Sequence, residues 1–120
     1  MPKPTVAIVG ASADRSKFSN QSIRAHLERG YEVFPVHPRG GQIEGLEVYE
    51  SLAEVPAERL TRVSLYVSPS VALGLLQQIA AKGCDELFFN PGSESDEAVA
   101  QARVLGLEPI VACSITDVSR

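Results

Sequence analysis

Short apolar runs alternate with helical patterns from one end of this 120-residue sequence to the other. The apolar runs resemble buried strands, because they are rich in β-branched and aromatic residues; they lie at residues 5–9, 31–36, 62–67, 86–89 and 109–112. Helical patterns of about ten residues follow the first, third and fourth runs, and each ends at a glycine. Alternating strands and helices form right-handed βαβ units, so the pattern predicts a parallel sheet covered by helices on both faces.

This pattern indicates an α/β fold: a three-layer, Rossmann-like, doubly wound sheet of about five strands in a single domain over residues 1–120. For five strands connected in this way we predict the order 3-2-1-4-5, which places the switch point between the first and fourth strands. Ligands of such sheets bind at the carboxyl ends of the strands. Four loops rich in Gly, Pro, Ser and Asn meet at that edge, at residues 10–20, 37–45, 68–70 and 89–93.

The first helix is predicted over residues 21–29, with Ser19 or Asn20 as its N-cap. Ile23 and Leu27 mark its buried face. The same periodicity leaves His26 on the solvent side, where we assign it no role.

Proline and serine mark further element boundaries. Pro35 has no N–H to donate, so the second strand is expected near the edge of the sheet, or to end early. Ser68 followed by Pro69 is typical of an N-cap and the first position of a helix, and Ser95 begins the third helix with an acidic first turn. Residues 46–56 predict only a turn of helix. The second helix carries apolar residues on its predicted buried face, namely Val71, Leu75 and Ile79, with Leu76 alongside.

The first strand breaks at Gly10 into a polar turn that precedes the first helix. Strand, glycine turn and helix N-terminus in this order form a site for a phosphate group, because unpaired helix N–H groups and the helix dipole favour anions. This chain has Ser12 where a dinucleotide fingerprint has its second glycine. After the second strand it has Arg39, where an NAD site places a carboxylate for the ribose 2′-OH. An arginine suits a phosphorylated ribose, so Arg39 after the second strand indicates coenzyme A or NADP as the ligand.

The composition narrows the class of protein. The formal net charge is −4, whereas nucleic-acid binding needs an excess of Lys and Arg. No apolar run reaches the ~20 residues of a membrane span, and the N-terminus lacks the apolar core of a signal peptide. Cys84 and Cys113 give neither a disulfide framework nor a metal-ligand spacing, so we expect a cytoplasmic protein without a metal site.

Four linked segments carry a family resemblance: residues 9–12 (VGAS), 36–41 (VHPRGG), 45–56 (GLEVYESLAEVP) and 90–92 (NPG). In these segments the chain resembles the small single-domain CoA-binding proteins, whose fold is similar to the N-terminal domain of the succinyl-CoA synthetase α subunit. The resemblance covers residues 6–115. The family commonly has asparagine where this chain has His37. The second synthetase domain, with its phosphorylated histidine, has no counterpart in the sequence, so the resemblance does not imply synthetase activity.

The resemblance implies roles for the loop residues. The turn at residues 10–12 and Arg15 would hold the pyrophosphate, and Arg39 would approach the adenosine 3′-phosphate. The loops after the third and fourth strands would line the adenine and the pantetheine. Lys17 is added from its position. The helix dipole disfavours a cation beside a helix N-terminus, so a bound phosphate explains its presence there better than a solvent-exposed loop charge does. The predicted cofactor-binding set is Gly10, Ala11, Ser12, Arg15, Lys17, Ser19, His37, Pro38, Arg39, Ser68, Pro69, Asn90, Pro91 and Gly92.

The two cysteines receive different predictions. Cys84 follows the glycine that ends a helix and is expected to be a small buried hydrophobic residue. Cys113 stands at the carboxyl end of the last strand, where ligands bind, and is the candidate redox thiol. A purely structural role for Cys113 is the competing interpretation.

Three functional classes fit this fold. The first is a module that binds coenzyme A or an acyl-CoA without catalysis of its own, since no catalytic set is recognisable. The second is a small NADP-dependent oxidoreductase or NADP-binding module, although 120 residues leave no substrate domain. The third, a response-regulator type, needs an acidic cluster after the first strand, where only Asp14 is found. We adopt the first, with a small nucleotide ligand as partner; a protein partner or a homo-oligomer stays open.

Overall fold

The computed structural model describes residues 2–120. In that range the strands are β1 (Thr5–Val9), β2 (Glu32–Val36), β3 (Gln42–Ile43), β4 (Leu46–Glu47), β5 (Leu60–Leu65), β6 (Cys84–Phe89) and β7 (Pro109–Val111). The helices are α1 (Phe18–Glu28), α2 (Pro69–Lys82), α3 (Asp96–Val104) and α4 (Ser114–Val118), with a 3-10 turn at Leu52–Glu54. Within the described residues no helix is both long and apolar enough to cross a membrane.

Five strands form one parallel sheet in the order β2-β1-β5-β6-β7, and β3 pairs with β4 in a short antiparallel hairpin. Side chains alternate between the two faces of the sheet. On β1, Ala7 and Val9 belong to a core that includes residues of α2 and α3, whereas Val6 and Ile8 pack with Ile23 of α1. The α4 helix contacts α1 and completes the third layer. The predicted doubly wound, three-layer α/β fold is therefore confirmed.

The predicted strand order is wrong. Numbered along the chain, the five strands lie in the order 2-1-3-4-5 rather than 3-2-1-4-5, so β5 pairs with β1. The predicted order would have placed β2 between two neighbours, where Pro35 would leave a ladder hydrogen bond unmade. In the structure β2 is an edge strand, as Pro35 itself indicated, and the Pro35 carbonyl accepts a bond from the Tyr49 N–H at 2.9 Å. The switch point consequently lies between β1 and β5.

The first helix begins earlier than predicted, at Phe18 instead of residue 21. Neither Ser19 nor Asn20 is its N-cap; that position belongs to Lys17, which gives no side-chain hydrogen bond. Asn20 instead donates to the Ser12 carbonyl at 3.0 Å and so attaches the glycine turn to the helix. Ile23 is buried as expected, but Leu27 is 39% exposed.

The segments between the main elements also differ from prediction. Residues 42–47 form the β3–β4 hairpin, and the turn of helix expected over 46–56 is confined to Leu52–Glu54. The α4 helix was not predicted, because five residues are too few to show a helical period. By contrast, the Ser68 cap with Pro69 in the first turn, the end of α2 at Gly83 and the Ser95 cap of α3 are confirmed.

Polar side chains are buried between the sheet and the α1–α4 layer. His26 is fully buried, contrary to the prediction that it faces solvent, because α4 covers that side of α1. Its Nδ1 lies 2.8 Å from the Ser22 carbonyl oxygen and its Nε2 lies 3.4 Å from Nη1 of Arg62. Arg62 is 5% exposed and forms ion pairs at 3.0 Å with both Glu86 and Asp117. His26 is thus part of the core and accepts a hydrogen bond from Arg62.

The buried position of His26 predicts a dependence of stability on pH. Burial, with a further contribution from the Arg62 cation, lowers the pKa of His26 to about 4. Because the unfolded value is about 6.5, the unfolded chain binds more protons between these values, so stability falls as the pH drops through this window. We expect this residue to lower the free energy of unfolding by about 2 kcal/mol between pH 7 and pH 5. Urea unfolding of the natural chain and His26→Gln at both pH values measures the effect; an equal pH dependence in the two proteins would contradict it.

Candidate functional site

A cleft of about 1040 Å³ opens where β1 and β5 end, at the switch point of the sheet. This is the upper end of the range of roughly 300–1,000 Å³ found for small-molecule sites. Eleven of the fourteen predicted ligand-binding residues line it: Gly10, Ala11, Ser12, Lys17, Ser19, His37, Pro38, Arg39, Ser68, Pro91 and Gly92. The structure therefore brings the four predicted loops together around one cavity.

The glycine turn forms the floor of the cleft, but its first two amides are already used. The N–H groups of Gly10 and Ala11 both donate to the Val36 carbonyl, at 3.0 and 3.2 Å. These bonds attach the turn to the end of β2, so the two amides cannot serve a ligand in this conformation. The Ser12 Oγ accepts a bond from the Asp14 N–H at 3.1 Å, while Ser12 itself lines the cleft. Ser12 thus stabilises the local turn and faces the cleft at once.

The N-terminus of α1 supplies the donors that the turn does not. Ser68 and Ser95 cap the first turns of α2 and α3 with their side chains, whereas the Lys17 cap of α1 provides no such bond. The first-turn amides of a helix have no partner within the helix. Lys17, Phe18 and Ser19 all line the cleft, so this uncapped end opens on it. Helix dipole and Lys17 charge together favour an anion there.

Three charged residues line the cleft, namely Lys17, Arg39 and Glu50. The local balance is thus positive in a chain whose net charge is −4. The backbone N–H of Arg39 donates to Nδ1 of His37 at 3.1 Å, which fixes the turn after β2. His37 therefore acts as a turn residue in the wall of the cleft, and the exposed Arg39 side chain is available to a ligand.

Three of the predicted ligand-binding residues, Arg15, Pro69 and Asn90, lie outside the lining of the cleft. The Nε of Arg15 lies 3.4 Å from a carboxylate oxygen of Glu44. Asn90 is buried, where its Nδ2 donates to Ser64 Oγ and to the Leu65 carbonyl, each at 2.8 Å. Its Oδ1 accepts from the N–H at position 114. Asn90 therefore connects β5, β6 and α4, and its amide is fully engaged.

Sequence reasoning missed one wall of the cleft, on α2. Val71 is 48% exposed and lines the cleft with Leu75, Gln78 and Ile79. Two members of the predicted buried stripe, Val71 and Leu75, thus face the cavity more than the core, where Ala72 and Leu76 lie instead. The available signal in the sequence was that Val71 stands in the first turn of an apolar helix that begins after a strand, at the sheet's carboxyl edge.

Phe18, Tyr66 and Glu50 also line the cleft without having been predicted. Phe18 is 69% exposed, an unusual position for an aromatic side chain. Tyr66 follows β5, and its hydroxyl lies 3.0 Å from the Oγ of Ser114. Burial is the main cause that raises the pKa of Tyr66. The cleft wall is thereby joined to the polar side chains beneath α4.

The two cysteines differ as expected in burial. Cys84 is buried, and this burial raises the pKa of its thiol to about 11. Cys113 is partly exposed and is the N-cap of α4. Its burial acts to raise the pKa, but hydrogen bonds with Thr116 and with the backbone of Ile115 outweigh it, so the pKa of Cys113 is lowered. The thiol of Cys113 does not belong to the lining of the cleft.

Comparison with known proteins finds two curated relatives whose names include CoA. The chain is 38% identical over 60 residues to the α subunit of the ADP-forming acetate–CoA ligase I of Pyrococcus furiosus, which covers 45% of this chain and 13% of that protein. It is 30% identical over 83 residues to a trans-feruloyl-CoA synthase of an unknown prokaryotic organism, covering 67% of this chain and 12% of the synthase. The chain thus spans about an eighth of the length of these curated relatives.

Solved structures are similar to this chain over more of its length than the curated relatives are. A conserved hypothetical protein from Pyrococcus furiosus has a TM-score of 0.83 and 30% identity, covering 97% of this chain and 99% of that one. A dinucleotide-forming acetyl-coenzyme A synthetase 1 from Candidatus Korarchaeum cryptofilum, solved with phosphate and ADP, has a TM-score of 0.77 and 25% identity. That match covers 90% of this chain and 25% of the synthetase.

The family model described as "CoA binding domain" matches residues 4–118, which is nearly the whole chain. This match includes every segment on which the resemblance in the sequence was based. The chain belongs to the CoA binding domain family.

Proposed function

We propose that the cleft binds coenzyme A or an acyl-CoA, and that this chain holds the ligand without carrying out a chemical step itself. One observation carries the proposal: the uncapped N-terminus of α1, Lys17 and Arg39 line the same cleft at the switch point. Coenzyme A is an anion with a pyrophosphate and a separate ribose phosphate, and the cleft presents two cations on different loops for them. The names of both curated relatives include CoA, which supports the same ligand.

In the proposed complex each part of the ligand meets a different wall. The pyrophosphate lies against Ser12, Lys17 and the first-turn amides of α1, because those donors are not used within the turn. The 3′-phosphate of the adenosine lies at Arg39. The pantetheine, which is largely apolar, runs along the α2 wall formed by Val71 and Leu75.

The two unpaired cysteines fit a reducing compartment, so we propose that the protein is cytoplasmic.

The affinity for CoA is expected to exceed that for 3′-dephospho-CoA by about 1.5–3 kcal/mol, the contribution of a charge-assisted hydrogen bond from Arg39. NAD and NADP are expected to bind weakly or not at all. Calorimetric titration with the four compounds measures these affinities, and a tighter complex with NADP than with CoA would favour the oxidoreductase alternative.

The variant Arg39→Gln provides the matched control for that titration. It should bind CoA and 3′-dephospho-CoA equally, with an affinity close to that of the natural chain for the dephosphorylated compound. If the natural chain already binds both compounds equally, Arg39 does not contact the 3′-phosphate.

A further prediction concerns the thiol of Cys113. CoA disulfide is expected to label Cys113, because a thiolate attacks a disulfide sulfur and releases one CoA thiolate. The lowered pKa of Cys113 increases its thiolate fraction, whereas Cys84 is buried with a raised pKa. Intact-mass measurement with peptide mapping, on the natural chain and on Cys113→Ser, identifies the adduct. An adduct shared equally by both cysteines, or none, would leave Cys113 with a structural role alone.

A further inference from the structure

Glu50 is an acidic residue in the wall of a cleft that otherwise favours anions. Its exposed side chain lines the cavity together with Arg39. A Cβ atom built on Gly40, the residue after Arg39, would lie 3.5 Å from a carboxylate oxygen of Glu50. Neither Glu50 nor Arg39 takes part in an ion pair with any of residues 2–120. A carboxylate and a guanidinium therefore stand on adjoining loops without neutralising each other.

Backbone hydrogen bonds hold both loops in place. Tyr49 continues the sheet beyond the edge strand β2: its N–H donates to Pro35 and its carbonyl accepts from His37, both at 2.9 Å. Glu50 follows directly. On the other loop the Gly40 N–H donates to the His37 carbonyl at 3.0 Å, which closes the turn that presents Arg39. The backbone positions from which the two charged side chains project are thus fixed at one end of the cleft.

We propose that Glu50 accepts a hydrogen bond from the free 2′-hydroxyl of the ligand's ribose. In this way Glu50 selects ligands that carry the ribose phosphate at the 3′ position. This inference rests on the proposed binding of CoA. A carboxylate accepts a hydrogen bond from a hydroxyl but repels a phosphate. With Arg39 on the phosphate and Glu50 on the hydroxyl, the site accepts a ribose 3′-phosphate and rejects a 2′-phosphate, the arrangement found in NADP. Specificity then comes from a repulsive group as well as from an attractive one.

Adenosine 3′,5′-bisphosphate and adenosine 2′,5′-bisphosphate test this directly, because they differ only in the position of one phosphate. The natural chain is expected to prefer the 3′,5′ compound by about tenfold or more. In Glu50→Gln the preference should shrink to about threefold or less, mainly through tighter binding of the 2′,5′ compound. Glu47→Gln removes the same charge from an exposed residue outside the cleft and should keep the preference of the natural chain.

The outcomes separate this inference from the proposed function. If the natural chain binds CoA but Glu50→Gln retains the full preference, Glu50 does not read the ribose and CoA binding stands. A natural chain that binds the two bisphosphates equally, while it binds CoA, also overturns the inference alone. If the natural chain binds neither CoA nor either bisphosphate, the proposed function fails and the inference fails with it.

Discussion

Replacing Ser12 with aspartate is expected to weaken CoA binding by about a hundredfold or more while the free protein remains folded. The added carboxylate lies in the cleft beside the α1 N-terminus, where we place the pyrophosphate. Two unit charges about 4 Å apart repel by ~1 kcal/mol in water and ~4 kcal/mol near a protein surface, and a hundredfold corresponds to about 3 kcal/mol. Calorimetry measures the affinity, and thermal unfolding without ligand measures the stability.

The local structure explains why the fold should tolerate this change. The Ser12 Oγ accepts a hydrogen bond from the Asp14 N–H, and a carboxylate oxygen can accept the same bond. The melting temperature should therefore move by no more than about 3 °C. Ser12→Asn, which keeps an acceptor without the charge, should bind CoA within about threefold of the natural chain. An aspartate variant that binds CoA normally would place the pyrophosphate elsewhere, and one that melts far lower would make Ser12 chiefly structural.

The edge of the sheet that carries the site was predictable from the sequence, because it depends only on the alternation of strands and helices. In parallel sheets all strands end at the same edge, so loops that follow different strands must meet. Gly10, Arg39 and Gly92 therefore line one cleft although they are far apart in the chain. The order of the strands does not follow from the alternation, because periodicity identifies an element without naming its neighbour. Here only Pro35 carried information on pairing, and it favoured the observed order.

Residues with two roles were the hardest to place. Val71 satisfies the apolar period of α2, yet it lies in the cleft, because a helix beside a ligand site needs an apolar face toward both. His26 gave the opposite error, and Asn90 likewise makes internal hydrogen bonds that the sequence does not show. A polar side chain is expected at the surface or at a ligand unless its internal partner is known, and the partners here lie far along the chain: Arg62 is 36 residues from His26. Such tertiary contacts leave no local signal.

Replacing Gly10 with alanine is expected to destabilise the fold by about 2–6 kcal/mol, with or without ligand. Gly10 has a φ of +87°, which costs about 1–3 kcal/mol for a residue with a side chain. Its Cβ would also lie 2.3 Å from the carbonyl oxygen of Tyr66, so the backbone after β5 would have to move, at a further cost of about 1–3 kcal/mol. This close approach occurs where β1 and β5 end side by side. Thermal unfolding should show a melting temperature lower by about 8–24 °C.

Gly41→Ala separates the two causes. Gly41 has a similar φ of +96°, but a Cβ there would meet no atom within 4 Å. This variant should lose only about 1–3 kcal/mol, or roughly 4–12 °C in melting temperature, because the backbone conformation is strained and nothing else changes. Equal losses in the two variants would mean that the approach to Tyr66 costs nothing. The expected difference would show that glycine is needed at position 10 by the contact between β1 and β5, whatever ligand the turn binds.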